Sequence, residues 1–408
     1  MAVFDREFTG NIPVILANKM KFDVLPQFFY GKFAGFTTPK GQAVTSAVQP
    51  NPIESPVVIQ HDLQKKQGDT IKIPLMRHLN KMPKIGNQQL SGFEEKSQIN
   101  HAVVYIDVVR HANRPQEGIM STQTTKDYQL IKNARPALLA HYAQVNEFLG
   151  AAYAMYYGFS YNILFSDRFA NSNLSPVSHP NIYVAGQGKV AGTPGTAAYE
   201  TNVANAIGAV TSGNVFNTAF LSALKTYPQI KRIRPLIMKD GNPLRLIAAH
   251  PYQIHSLEQD SAFQTAAASA WAQAYAKDNP MLVGAKYYWA GFMIFETETA
   301  VWSADVSNGE PVFGKKNPQA VDEVLDYDGA EKFAAVIFGQ NALFKAMGDR
   351  IRFIQEVKDY DEILGIAYRS VEGYSRGDFW NYDDGTLGEH LINHGSALAI
   401  TYAAKPSL

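Results

Sequence analysis

GDTIKIPLMRHLNKMPKIGNQQLSGFEEKSQINHAVVYIDVVRH, residues 68–111, decides the fold. It holds two strand-like runs, 69–76 (DTIKIPLM) and 102–109 (AVVYIDVV), separated by a polar loop, 78–100. Each run alternates, so its side chains point to opposite faces. Ile71, Ile73 and Leu75 share one face of the first; Val104, Ile106 and Val108 share one face of the second. A linker of roughly two dozen residues is too long for an ordinary hairpin turn. The pattern predicts two antiparallel strands whose tip projects from the body. A lone two-stranded arm is marginal in water, so it must lie on something outside itself.

Downstream, residues 124–157 place Tyr128, Ile131, Leu138, Tyr142, Val145, Leu149, Ala152 and Tyr156 at helical spacing. A continuous helix there is about 50 Å long, kinked or begun at Pro136. It is too long for one compact core and reads as a spine. Upstream, residues 1–67 carry Pro13, Pro26, Pro39, Pro50, Pro52 and Pro56 and no sustained helical stripe beyond 14–29. Phe22, Phe28, Phe29, Tyr30, Phe33 and Phe36 mark this arm as one that lies across a neighbouring surface and not as a disordered tail.

From 158 to about 348 the texture is α+β. Helices are expected over 202–227, 259–277 and 330–347, and strands over 233–239, 244–249 and 291–298. Residues 350–356, 363–368 and 397–402 return to strands, and 374–394 reads as a loop. There is no internal repeat.

The chain has 408 residues, 46% hydrophobic, enough for more than one core. Thirty-seven Lys and Arg balance thirty-seven Asp and Glu. That zero net charge argues against a dedicated nucleic-acid binder. The absence of cysteine excludes disulfides and thiolate metal sites. The first residues show no charged-then-apolar signal pattern, and no apolar run is long enough to span a bilayer. A soluble protein made inside the cell is expected.

Site motifs are weak. AGQGKVAGT, 185–193, has glycines and a lysine but not the spacing of a phosphate loop, and reads as a surface loop. His250 and His255, five apart with Pro251 between, suit a strand end and turn better than a metal site. His101 and His111 lie more than about 30 Å apart along an extended strand and cannot share a site. Asp326/Asp328 and Asp383/Asp384 lack calcium-loop spacing and read as solvated turns. Glu94 and Glu95, with Arg77, Lys81, Lys84 and Lys96, suit salt bridges between subunits better than acid–base chemistry.

The order of several blocks is the strongest signal: GDTIKIP at 68–74, LSGFEE at 90–95, VVRH at 108–111, RPLIMKDGNPLRLIAAHPYQ at 234–253, NPMLVGAKYYWAGFMIFE at 279–296 and KFAAVIFGQNALFKA at 332–346. Together they resemble the tailed-bacteriophage major capsid proteins of HK97-like fold. More closely, they are similar to the capsid family of large N-four-type podophages. The resemblance implies an α+β fold with an N-terminal arm (1–67), an extended β-hairpin E-loop (68–112), a spine helix of the peripheral domain (113–157), an axial domain (158–348) and closing peripheral strands (349–408). It implies hexamers and pentamers of an icosahedral shell enclosing double-stranded DNA in the virion, assembled in the host bacterial cytoplasm. It also implies a separate scaffolding protein, a portal and room for a decoration protein, with no membrane partner. Inter-subunit contacts are expected at Arg77, Lys81, Lys84, Glu94 and Glu95. Some members of the wider fold cross-link through Lys and Asn with an assisting Glu; no cross-link is expected here. No cofactor, metal or enzymatic activity is expected. The rival readings are an encapsulin-type nanocompartment shell and an α+β enzyme using His250 and His255.

Overall fold

The computed structural model describes residues 29–30, 34–37, 55–60, 70–76, 82–86, 91–92, 94, 99–113, 130–156, 178–239, 242–269, 286–314, 329–358, 363–379, 392–403 and 405. The first elements are β1 (Ala34–Thr37), β2 (Val57–Gln60), β3 (Thr70–Met76), β4 (Ile99–Tyr105), β5 (Asp107–Asn113) and helix α1 (Leu130–Met155). There follow β6 (Ile182–Val184), β7 (Gly188–Lys189), α2 (Ala197–Gly208), α3 (Thr218–Thr226), α4 (Pro228–Arg232), β8 (Ile237–Lys239), β9 (Asn242–Ala249), α5 (Pro251–Glu258) and α6 (Ser261–Ser269). The remaining elements among the described residues are strands: β10 (Tyr287–Trp289), β11 (Phe292–Glu296), β12 (Ala304–Ser307), β13 (Glu310–Phe313), β14 (Lys332–Phe338), β15 (Leu343–Lys358), β16 (Ile363–Arg376), β17 (Asp378–Phe379), β18 (Ile392–Asn393) and β19 (Ser396–Tyr402).

The chain divides into two compact units. The larger contains a mixed sheet of order β10-β11-β9-β14-β19-β6-β7, with β8 paired to β9. β14 lies near its centre, antiparallel to both neighbours, with Val336 opposite Ala248 on one side and Leu398 on the other. Its run FAAVIF is fully buried, as a strand covered on both faces must be. One face carries α3, α5 and α6: Leu221, Leu224, Ile254, Leu257 and Phe263 pack on Ile247, Ile294, Ala335, Ile337 and Ala399.

These helices begin where side chains satisfy their first amides. Asn217 Oδ1 accepts from Phe220 N at 2.8 Å before α3. His250 Nδ1 accepts from Tyr252 N before α5, Gln253 Oε1 accepts in return from His250 N, and Pro251 occupies the first turn. A second sheet has the order β1-β2-β15-β16-β5, with β2 parallel to β1 and to β15.

Helix α1 is 26 residues long, about 39 Å, and holds Pro136 within it. In the larger unit its final turns, 147–155, are buried on every side. Gly150 there faces the Tyr30 ring, which a Cβ would meet at 2.7 Å. Phe29 and Tyr30 are held from below by Glu147, which accepts both of their backbone N–H groups and is itself 2% exposed. Their rings pack on Phe295 and Phe338. Phe29 and Tyr30 of the arm thus pack on the body of their own chain; Phe22, Phe28 and Phe33 lie outside the described residues.

The smaller unit includes the distal parts of β15 and β16 and the start of α1. There His111 stacks on His141 at 4.2 Å, and His141 Nδ1 lies 3.2 Å from Tyr368 Oη. Burial first, and His111 second, hold the His141 proton affinity below the usual imidazole value.

Four expectations fail. The stretch 374–394, expected as a loop, holds the end of β16 and the paired strands β17 and β18. Residues 330–347 are strand, not helix: β14 and the start of β15 flank a turn at 339–342. A short unbroken apolar run fits a buried helix and a buried strand equally, and here pairing on both edges decided it. The expected helix 202–227 is two shorter ones, α2 and α3, because Asn217 opens a new cap that periodicity does not reveal; of the helix expected over 259–277, α6 forms Ser261–Ser269 and 270–277 lie outside the described residues. The run 102–109 is two strands broken at Ile106, so Val109 is buried and Val108 turns outward.

β16 passes so close to Tyr105 that a Cβ on Gly373 would lie 1.7 Å from its carbonyl oxygen. Gly373→Ala therefore has to displace backbone, and a loss of about 1–3 kcal/mol in urea unfolding is expected.

Candidate assembly surfaces

The arm starts from its own sequence alternation. β3 and β4 pair antiparallel in full register, from Thr70 opposite Tyr105 to Met76 opposite Ile99. The inner face of this ribbon is not free. Ala102 and Val104 are buried against Val58, Phe344, Ala346 and Phe379, with Ile71, Ile73 and Ile106 packed beside them. The base of the arm is thus anchored to the larger unit, which offsets the marginal stability of a lone hairpin.

Met82 is 90% exposed and Ile85 82%, with Pro83, Lys84 and Gly86 also exposed. Two large apolar side chains left in solvent between β3 and β4 are an unfinished contact. Of the charged contacts expected from sequence, Lys84 and Glu94 are exposed in the same stretch, and Glu94 Oε2 accepts from Gly92 N at 2.8 Å. Arg77, Lys81 and Glu95 lie outside the described residues. The loop's charges are evident in the sequence, whereas Met82 and Ile85 are signalled only as two apolar residues flanking Pro83 and Lys84 within a polar run.

The body holds a second polar construction, entirely buried. Arg376 and Asp378 are each 1% exposed, and Asp378 Oδ2 accepts from Arg376 Nε at 2.8 Å and from Nη2 at 2.6 Å. Asp378 Oδ1 accepts from Asn393 Nδ2 at 2.5 Å. Asn393 Oδ1 in turn accepts from the Gly395 and Ser396 amides. Ser396 Oγ lies 2.8 Å from His179 Nε2, while His179 Nδ1 accepts from Asn181 N at 2.9 Å. A ring nitrogen that accepts must be unprotonated, so His179 is neutral with its proton on Nε2. Burial, then Arg376 and Lys189, depress its proton affinity well below the usual imidazole value. The network ties β16, β17, β18 and β19 to the approach to β6. It has the character of a structural lock: each polar group is taken up by another, and none faces a cleft.

The histidine pair of the enzyme reading separates. His250 caps α5, is buried and stacks on Phe333 at 4.1 Å, while His255 sits in the last turn of the same helix. Among the described residues no cluster of three His, Asp or Glu could hold a metal ion. Burial pushes the His250 imidazole down to about 3. Because its folded value lies below the unfolded one, its contribution is complete above about pH 6.5 and is lost as pH falls toward 3. His250→Asn, which keeps a capping oxygen but cannot titrate, is expected to flatten the fall in stability between pH 6 and 4, read by urea unfolding at each pH. The glycine-rich 185–193 segment is the β6–β7 hairpin and the chain leading to α2, with Lys189 in β7. Among the described residues no helix is long and apolar enough to cross a membrane.

Known structures share this arrangement. The capsid of Ralstonia phage GP4 superposes with a TM-score of 0.64 at 18% identity, covering 100% of this chain and 99% of that one. The capsid asymmetric unit of cyanophage Pam1 gives 0.64 at 15% identity, covering all of both chains. The capsid of Helicobacter pylori bacteriophage KHP30 gives 0.60 at 12%, covering 98% and 96%. At these identities the likeness is one of fold. Comparison with curated proteins found no match. The family model described as phage capsid protein matches residues 30–405. That match spans both sheets, α1 and the hairpin arm, and the chain belongs to the phage capsid protein family, as a major capsid protein of HK97-like fold that forms the shell of a tailed phage.

Proposed function

We propose that copies of this chain join as hexameric and pentameric capsomers of an icosahedral shell around double-stranded DNA, through the hairpin arm. The observation that carries this is the contrast along one ribbon: Ile71, Ile73, Ala102 and Val104 packed at its base, Met82 and Ile85 solvated at its tip. The tip would lie on a neighbouring subunit and bury both side chains there. Lys84 and Glu94, with Arg77, Lys81 and Glu95, would form the polar rim of that contact, the usual surround of an apolar centre. Many modest contacts of this kind make a strong shell by multivalency. The partition into arm (1–67), E-loop (68–112), spine (113–157), axial (158–348) and closing peripheral segments (349–408) belongs to the same reading. So do a separate scaffolding protein, a portal, assembly in the host cytoplasm and a purely structural role.

Negative-stain microscopy of the protein, expressed alone and with its genomic neighbours, tests it. Closed shells or sheets of six-fold rings are expected. A uniform monomer under every condition would overturn the reading.

A further inference from the structure

Within the larger unit, the second half of α1 meets β15 and β16 through three polar side chains of different chemistry. Glu372 and Tyr374 are two residues apart in β16 and share one face of it. Lys345 comes from β15, the neighbouring strand. Asn146 comes from α1, one residue before the Glu147 that holds Phe29 and Tyr30. Lys345 Nζ donates to Asn146 Oδ1 at 2.5 Å and lies 3.0 Å from Glu372 Oε2. Tyr374 Oη donates to the same Asn146 oxygen at 2.6 Å.

The site is nearly closed to water. The Lys345 side chain is 11% exposed and that of Glu372 1%. Nζ also sits 5.0 Å over the Tyr374 ring, which stacks on Tyr153 at 6.0 Å. A buried ion pair needs only a cation and a carboxylate. Here a third group is drawn in, and its carbonyl carbon is an electrophile. A carbonyl bond is about 1.2 Å long, so Asn146 Cγ lies within about 3.7 Å of Nζ. Attack on a carbonyl begins from about 3–3.5 Å. The two donors on Oδ1 draw electrons from Cγ, and they are in place for the negative charge that Oδ1 gains as a nucleophile adds. Glu372 is in reach of the proton whose removal makes Nζ that nucleophile. The transfer turns two buried ions into two neutral groups, which a site shut off from water favours.

We propose that Lys345 and Asn146 join in an isopeptide bond inside one chain, with Glu372 carrying the proton. The ammonium gives one proton to Glu372, and the Nζ lone pair adds to Cγ, pushing the carbonyl electrons onto Oδ1. Tyr374 holds that oxyanion. Glu372 passes its proton to Nδ2 and takes a second from Nζ. The Cγ–Nδ2 bond breaks, the carbonyl re-forms, and ammonia departs, taking the last proton with it as ammonium. The carboxylate of Glu372 is restored, no oxidant is consumed, and the reaction happens once per chain. The bond ties α1 to β15 across 199 positions of sequence and restrains the unfolded chain as a disulfide of that span does. Being internal, it adds no link between subunits.

Denaturing mass spectrometry of the purified chain, and of shells it forms, is the test. The wild-type chain is expected to weigh less than its sequence by one ammonia, about 17 Da. Proteolysis is expected to yield a branched peptide joining Asn146 to Lys345, with the trypsin cut after Lys345 lost. In a denaturing gel the looped chain runs ahead of Lys345→Arg, which keeps the full mass. Glu372→Gln is expected to slow linkage by about a hundredfold or more. Tyr374→Phe, which removes one donor from Oδ1 and no charge, slows it in the same direction. Linkage at the wild-type rate in Glu372→Gln overturns the role given to Glu372. Full mass in the folded wild-type chain and in its shells overturns the proposal and leaves a buried ion pair only. So does loss of ammonia without the branched peptide, because Asn146 has then cyclised on its own backbone.

Discussion

Replacing Asp378 by alanine is expected to lower the stability of the folded chain by about 3–5 kcal/mol, because it strands the Arg376 guanidinium in a site where it is 1% exposed. The pair was not inexpensive to bury. Its mutual attraction and the bonds from Asn393 and to Met155 O repay desolvation only while all are present. The loss extends beyond the ion pair, since Asn393 loses an acceptor and then positions Ser396, His179 and Asn181 less firmly. Urea unfolding of the unassembled chain gives the number. The control is Arg376→Met with Asp378→Leu, which removes both charges and is expected to be less damaging than Asp378→Ala alone. If the double variant is the more damaged, the network acts chiefly through its hydrogen bonds and not through the stranded charge.

Met82→Asp with Ile85→Asp is expected to abolish shells while leaving the subunit folded. At 90% and 82% exposure neither side chain belongs to the core, so stability changes by no more than roughly 0.5 kcal/mol. At a contact between subunits the same change buries two carboxylates against an apolar surface, a penalty repeated at every copy. Glu94→Lys with Glu95→Lys alters only the polar rim, so a milder defect is expected, one that grows at low salt as screening falls. Equal defects from both pairs, or normal shells from the aspartate pair, would remove the apolar tip from its central place.

How the chain folds was partly legible from residue order. Alternation in 69–76 and 102–109 predicts a ribbon, and β3 and β4 form one with the expected antiparallel pairing, ending at Tyr105. The long stripe through Leu138, Val145, Leu149 and Ala152 announced α1, and these four residues are buried in it. Where reading failed, the deciding energy was not local. KFAAVIF has no period that separates helix from strand; it became the sheet's central strand because β9 and β19 offered it hydrogen bonds on both edges. Val108 faces outward because the backbone breaks at Ile106, and one residue of slip exchanges the faces of every residue beyond it.

The candidate surfaces divide the same way. Charge in the hairpin loop was visible as letters, whereas the exposure of Met82 and Ile85 is a property of what does not cover them. Buried Arg376, Asp378, His179 and Asn393 are scattered over more than two hundred positions and look like ordinary surface residues until β16–β19 draw them together. Sequence by itself determined the element types with strong period, the zero net charge, the absence of cysteine and the family. Tertiary structure decided which edges pair, which polar groups are sealed from water and which apolar ones are left in it, because pairing and burial are sums over neighbours that no local window contains.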